Sequence, residues 1–224
     1  MIDELLGRLE ATTVKFDIGR GGIPELTPQD IAAALGMCED KFAVLMFEAV
    51  ASGTIRDPAA VDAAIAREQF AEWRNRMDRM VTAQLAMVEA DGAPVWQRAQ
   101  RRWKAKQMIE GAKAAMWPPL VEETYFKMRV ALLAELRANR VCPVCNGRKS
   151  VMVENSLIEC EHCLATGRIA VSDRSRSQMM RMHHSTYSDQ WKAPYEWMYR
   201  RLSDAANRGR QQFSVAVGRY QRAA

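Results

Sequence analysis

The sequence lacks any run of about eighteen apolar residues, the least that crosses a bilayer as a helix. Its opening, "MIDELLGRLEATTVKFD", puts acidic residues where a secretory leader carries a basic segment and an apolar core. Both absences predict a cytosolic protein with no membrane partner. There is no phosphate-cradling G-x-x-x-x-G-K loop, no H-E-x-x-H, no G-x-S-x-G and no glycine-rich dinucleotide turn, and histidine is limited to three residues. The paired acids Glu122 and Glu123 stand on a helical stretch without other polar chemistry close by in sequence. No catalytic constellation is left, so the expectation is a protein that is not an enzyme. Internal repeats and low-complexity tracts are missing as well.

What remains is an ordinary globular composition, 224 residues with 48% hydrophobic content, enough for one large domain or two small ones. The net charge of +5 is unevenly spread. Residues 1–91 carry a net −7, residues 92–139 a net +5 and residues 140–224 a net +7. This polarity predicts that the last section meets a polyanion and the first does not.

Helical patterning dominates the first 139 residues. Thr27, Pro28 and Asp30 form a capping-box signature that starts a helix ending at Gly36. A second helix, "EDKFAVLMFEAVAS", runs to Gly53, and Asp57-Pro58 opens a long one that stops at "DGAP". In this long helix Val61, Ile65, Phe70, Trp73, Met77, Met80, Val81 and Leu85 recur at helical spacing and predict one buried face. The next helix is basic, with six Lys or Arg between 98 and 113 and tryptophan at 96, 103 and 117. After Pro118-Pro119 a further helix leads into the cysteines.

Four of the five cysteines are paired, as Cys142-x-x-Cys145 and Cys160-x-x-Cys163. Two residues between ligands let the chain turn tightly enough to aim both sulfurs at one metal, and Gly147 and Gly167 supply the positive backbone dihedrals such knuckles use. The spacing predicts one structural Zn2+, since four thiolates leave no open position for chemistry. A redox pair lacks the strand-helix context it needs, an iron–sulfur cluster stays open on spacing alone, and His162 between two ligands could replace one. Cys38 reads as a small buried side chain.

Residues 173–193 have the pattern of a helix, a turn and a second helix. Ser172 or Asp173 can cap the first, Ser185 or Thr186 the second, with Met179, Met180 and Met182 facing inward. In a helix-turn-helix the start of the second helix meets base edges and basic residues around it meet phosphates. That assigns Ser185, Thr186, Tyr187, Asp189 and Gln190 to bases, and Arg174, Arg176, Arg181 and Lys192 to the DNA backbone, with His183 and His184 either further phosphate contacts or polar residues of the turn. Pro194 is expected to interrupt the helical section that follows. The fold class is thus mainly α: a helical region over 1–139, a four-cysteine zinc module over 140–170, and a helix-turn-helix-like DNA-binding section with a C-terminal helix over 171–224.

The order of "LTPQDIAAALGMCEDKF", "CPVCNGRKS…IECEHCLATGRI" and "SDRSRSQMMRMHHSTYSDQWKAPYEWMYRRL" resembles the late-gene antitermination Q proteins of lambdoid phages, in their zinc-containing, lambda-type branch. The likeness is best over 130–215 and extends loosely to 26–50. It implies binding of a promoter-proximal double-stranded DNA element, loading onto paused bacterial RNA polymerase with its primary sigma factor, and readthrough of terminators. The exit channel and its nascent RNA are implied partners, the N-terminal helices are implied polymerase contacts, and the bacterial host cytoplasm is the implied location. The family's knuckles are richer in glycine: Lys149 and Ala165 stand where glycine is expected. Composition and spacing alone leave a second reading, a zinc-dependent DNA-binding regulator that acts only at initiation.

Overall fold

A computed structural model describes residues 27–223 other than 53, 139, 154, 155, 166 and 168. The first helix, α1 (Pro28–Gly36), starts on the expected capping box: the Thr27 hydroxyl accepts the Asp30 N–H while the Asp30 carboxylate accepts the Thr27 N–H at 2.8 Å. Next come α2 (Lys41–Ala51), capped by Asp40, and α3 (Pro58–Asp91), capped by Asp57. The chain then reverses into α4 (Val95–Ala115) and reaches α5 (Glu122–Arg137). A two-stranded antiparallel hairpin follows, β1 (Ser150–Val153) with β2 (Ser156–Glu159), pairing Val151 with Ile158 and Met152 with Leu157. The last elements are α6 (Asp173–Met179), the short α7 (His184–Thr186), a π-helical turn Tyr187–Trp191 and α8 (Lys192–Ala223).

Helices from both sides of the cysteine module share their cores. One core joins Met46 of α2, Ile65 of α3, Tyr125 and Leu132 of α5, and Tyr195 and Leu202 of α8. Another joins Ile31 and Leu35 of α1 and Phe47 of α2 to Phe213 of α8, with the two phenylalanine rings 5.7 Å apart. Residues 31–136 and 180–217 therefore close on each other, and the module is an insertion between them. Burying a residue of this size contributes about 1.5–3 kcal/mol, so the interlocked aromatic and aliphatic side chains supply most of the cohesion.

The approach of α2 to α8 depends on a glycine that the sequence reading passed over. A Cβ at position 209 would run into the Ala43 carbonyl and come within 2.8 Å of the Phe47 Cβ. Gly209→Ala should gain up to about 1 kcal/mol of helix propensity and lose more by prying the helices apart, with overpacking costing about 1–3 kcal/mol. The expected net loss is read as a lower denaturant midpoint with an unchanged slope. An equal or higher midpoint would show that α2 and α8 are not held at this distance.

Two expectations need correcting. Pro194 does not interrupt the chain: it lies in the first turn of α8, where a missing N–H is tolerated, and the π turn before it carries the helix through, with the Lys192 N–H donating to the Tyr187 carbonyl. The apolar face of α3 is buried only in its first half. Val61 and Ile65 are in the core, whereas Phe70, Val81 and Leu85 are exposed. The distal half of α3 packs against α4 through small side chains, Ala83, Ala90, Ala93 and Ala105. Alanines let two helices approach closely without using the larger residues, which remain outside.

Candidate metal centre and the adjoining helical turn

The cysteine module closes on itself where the chain enters and leaves. The Ile169 N–H donates to the Arg140 carbonyl and the Cys142 N–H to the Gly167 carbonyl, each at 2.9 Å. Each cysteine pair begins a tight turn. In the first, Asn146, Gly147 and Lys149 have φ of 47°, 79° and 69°; in the second, Leu164, Ala165 and Gly167 have 50°, 56° and 77°. Gly147 and Gly167 thus take the positive dihedrals expected of them. Lys149 and Ala165 keep the glycine-like backbone without being glycine, at about 1–2 kcal/mol each. A Cβ on Gly167 would lie 2.8 Å from the Gly147 carbonyl oxygen, so the two knuckles pack glycine to glycine.

The four sulfurs are brought together and buried. Cys142 and Cys160 Sγ are 3.9 Å apart, Cys145 and Cys163 Sγ 3.7 Å apart, and all four lie within 4.8 Å of one another. Zn–S bonds of about 2.3 Å in a tetrahedron set S···S at about 3.8 Å, so the donor set fits one such ion. His162 is on the exposed side of its turn and the ligand cluster does not include it. Burial raises the Cys163 thiol, but the Gly167 N–H donated to its Sγ at 3.2 Å and the three neighbouring sulfurs outweigh burial and bring it to about 7. Cys160 is pushed up to about 11, first by burial. Four thiols this close titrate as a set, and a cation is what lets all of them be thiolates together. Cys38, the fifth cysteine, is buried in the connection between α1 and α2, as expected, with its Sγ donating to the Ala34 carbonyl.

The segment after the module forms the expected helix, turn and helix, with some differences in detail. Ser172 caps α6, accepting the Ser175 N–H at 3.1 Å. The turn is made at Arg181, whose φ is 52°. His183, not Ser185 or Thr186, caps the second helix, its Nδ1 accepting the Ser185 N–H. Met180 is fully buried, while Met179 and Met182 pack on the core from its edge.

Of the residues assigned to DNA, Arg174, Arg181, His184, Ser185, Thr186, Asp189 and Gln190 are exposed along this turn and the helix start. Lys192 is exposed but paired with Asp173 at 2.7 Å. Tyr187 and Arg176 are corrections. The Tyr187 ring is fully buried against Tyr195, and its hydroxyl is pushed up to about 12 by burial despite the Arg176 charge beside it. Arg176 points inward, giving Nε and Nη2 to the two carboxylate oxygens of Glu135 at 3.0 and 2.8 Å and lying over the Tyr195 and Tyr199 rings. The Tyr195 hydroxyl donates to the same carboxylate at 2.8 Å. Helical phase explains both errors, because the turn fixes which side of each helix faces α5, and Arg176 and Tyr187 are on that side.

Glu135 is the residue the sequence reading missed. It is 4% exposed on α5, in line with the buried Met128, Ala131 and Leu132. A single acid in an apolar stripe was the available signal, because a buried carboxylate needs a partner. Compared with known protein families, curated proteins and solved structures, the chain gives no match. Among the described residues no helix is long and apolar enough to cross a membrane.

Proposed function

We propose that the chain is a DNA-binding transcription regulator of the antitermination type: it takes a promoter-proximal element at the α6–α7 turn, loads onto paused RNA polymerase holding its sigma factor, and permits readthrough of terminators, with nascent RNA at the exit channel a further contact. The observation that carries the DNA-binding part is the exposed polar run Arg174, Arg181, His184, Ser185, Thr186, Asp189 and Gln190, with two arginines and one acid, set on a turn that Arg176 and Glu135 anchor to the core. Mobile polar side chains on a fixed backbone suit groove reading. In this reading the four cysteines hold one Zn2+ as a brace, since their closed thiolate set offers no coordination position to a substrate. The polymerase part rests on the order of sequence motifs.

Transcription in vitro on a template with the late promoter, a pause and a terminator tests the reading. Added protein should raise readthrough and remain in complexes halted downstream. Protein that changes promoter occupancy but is absent from halted complexes would support action at initiation alone, and unchanged readthrough with the native polymerase would overturn antitermination. On DNA itself, Arg174→Ala should weaken binding across sequences and lower the salt slope by about one, whereas Gln190→Ala should change sequence preference. Equal effects of both on all sequences would remove base reading from this turn.

A further inference from the structure

The outer face of α3 carries an apolar stripe that no other described element covers. Phe70 is 47% exposed, Val81 47%, Leu85 57% and Val88 69%, with Met77 half-buried between them. At about 100° per residue, Phe70, Met77, Val81 and Val88 fall within about 40° of one another. Ala83 and Ala90, which face α4, lie on the opposite side of the helix. The stripe is therefore directed away from the hairpin's own seam, on an element that already has its intramolecular partner.

Its spacing is the informative feature. The interval from Phe70 to Met77 equals that from Val81 to Val88, so the stripe reads the same from either end about a point near Arg79. A second copy laid antiparallel across it puts Phe70 against the partner's Val88 and Met77 against the partner's Val81, and the reverse pairs follow from the two-fold axis. That is the self-complementarity an isologous interface requires. Charge agrees with the same register. Arg67 and Glu89 are on one flank of the stripe, and in an antiparallel pair like flanks meet, which brings Arg67 beside the partner's Glu89 at both ends. Asp78 approaches its own copy near the axis, with Arg74 one turn away in each chain to offset the repulsion.

We infer that the chain forms a two-fold dimer through the outer face of α3, antiparallel and in the register Phe70–Val88, Met77–Val81. The full-length, zinc-loaded protein should sediment as a dimer at concentrations of about 1–100 μM, a range typical of modest helix-pair affinity. Val81→Glu puts two carboxylates against apolar side chains at the centre. It should raise the dissociation constant about 100-fold or more while leaving the melting of the helical body unchanged, because the residue is outside the core. The register has its own readout. On mild oxidation, a mixture of Phe70→Cys and Val88→Cys chains should give crosslinked dimer and neither variant alone should, since about 27 Å separates the two positions along one helix; wild type is the blank for the native cysteines. A monomer throughout the range would overturn the proposal and leave the stripe to a different protein. A dimer indifferent to Val81→Glu, or crosslinking by Phe70→Cys alone, would overturn it equally.

Discussion

Cys142→Ser is expected to empty the metal site and unravel residues 140–169 while the helical body survives. Among the described residues of the module the buried side chains are those of its four cysteines, with Val151 packed against them, and the side chains of β2 are all exposed. A core so small cannot offset the ordering entropy of about thirty residues at about 1–2 kcal/mol each, a difference that a metal held by the four cysteines would supply. Structural zinc contributes about 10–16 kcal/mol in comparable small sites at neutral pH, and losing one of four thiolates removes most of it. The helical cores contain none of the module's residues, which is why melting of the body should be little changed. Metal analysis should fall from one ion per chain to nearly none, and amide exchange should accelerate across 142–167. A metal-free variant with protected amides there would show that the turns hold without the ion. Acid should act in the same direction. Ligands must be thiolates, so affinity declines as pH falls: Cys160 takes up its proton first, and the decline steepens below about 7, where Cys163 competes for a proton as well.

The helices were legible because their signals are local. Thr27 with Asp30 set the start of α1, Asp57-Pro58 the start of α3 and "DGAP" its end, and the cysteine spacing named a cluster whose sulfurs do converge. Errors arose where a side chain's fate depends on a distant partner. Arg176 has the same local sequence signal as Arg174, and only the placement of α5 turns one inward and leaves the other outside. Phe70 and Val81 have the spacing of core residues, yet the alanine seam to α4 and the shortness of the neighbouring helices leave them uncovered. Gly209 looks like a helix weakness in sequence and is a contact point in space. Pro194 signals a break only if the helix before it has regular register, and the π turn changes that register.

Glu135→Ala is the second change expected to have a large effect, and it separates bracing from DNA contact. Removing the carboxylate leaves Arg176 inside with its charge uncompensated by its closest partner, and takes the acceptor from the Tyr195 hydroxyl. Breaking a buried pair from one side costs about 3–5 kcal/mol. Asp173 and Glu196, each 3.9 Å from the guanidinium, hold it only at the rim. Arg176 should then swing outward and α6 should loosen from α5, so that the proposed DNA affinity falls although none of the exposed side chains assigned to DNA has changed. Glu135→Leu combined with Arg176→Met replaces the pair by apolar groups of similar length and should recover most of the loss, because paired removal leaves no orphan charge, with a residue of about 1–3 kcal/mol from the Tyr195 hydroxyl, whose acceptor is gone. Denaturation of the two singles and the double gives the coupling directly. If Arg176 touched DNA itself, the double variant would bind as poorly as Arg176→Ala; if Arg176 is the brace, the double variant regains most of both stability and affinity.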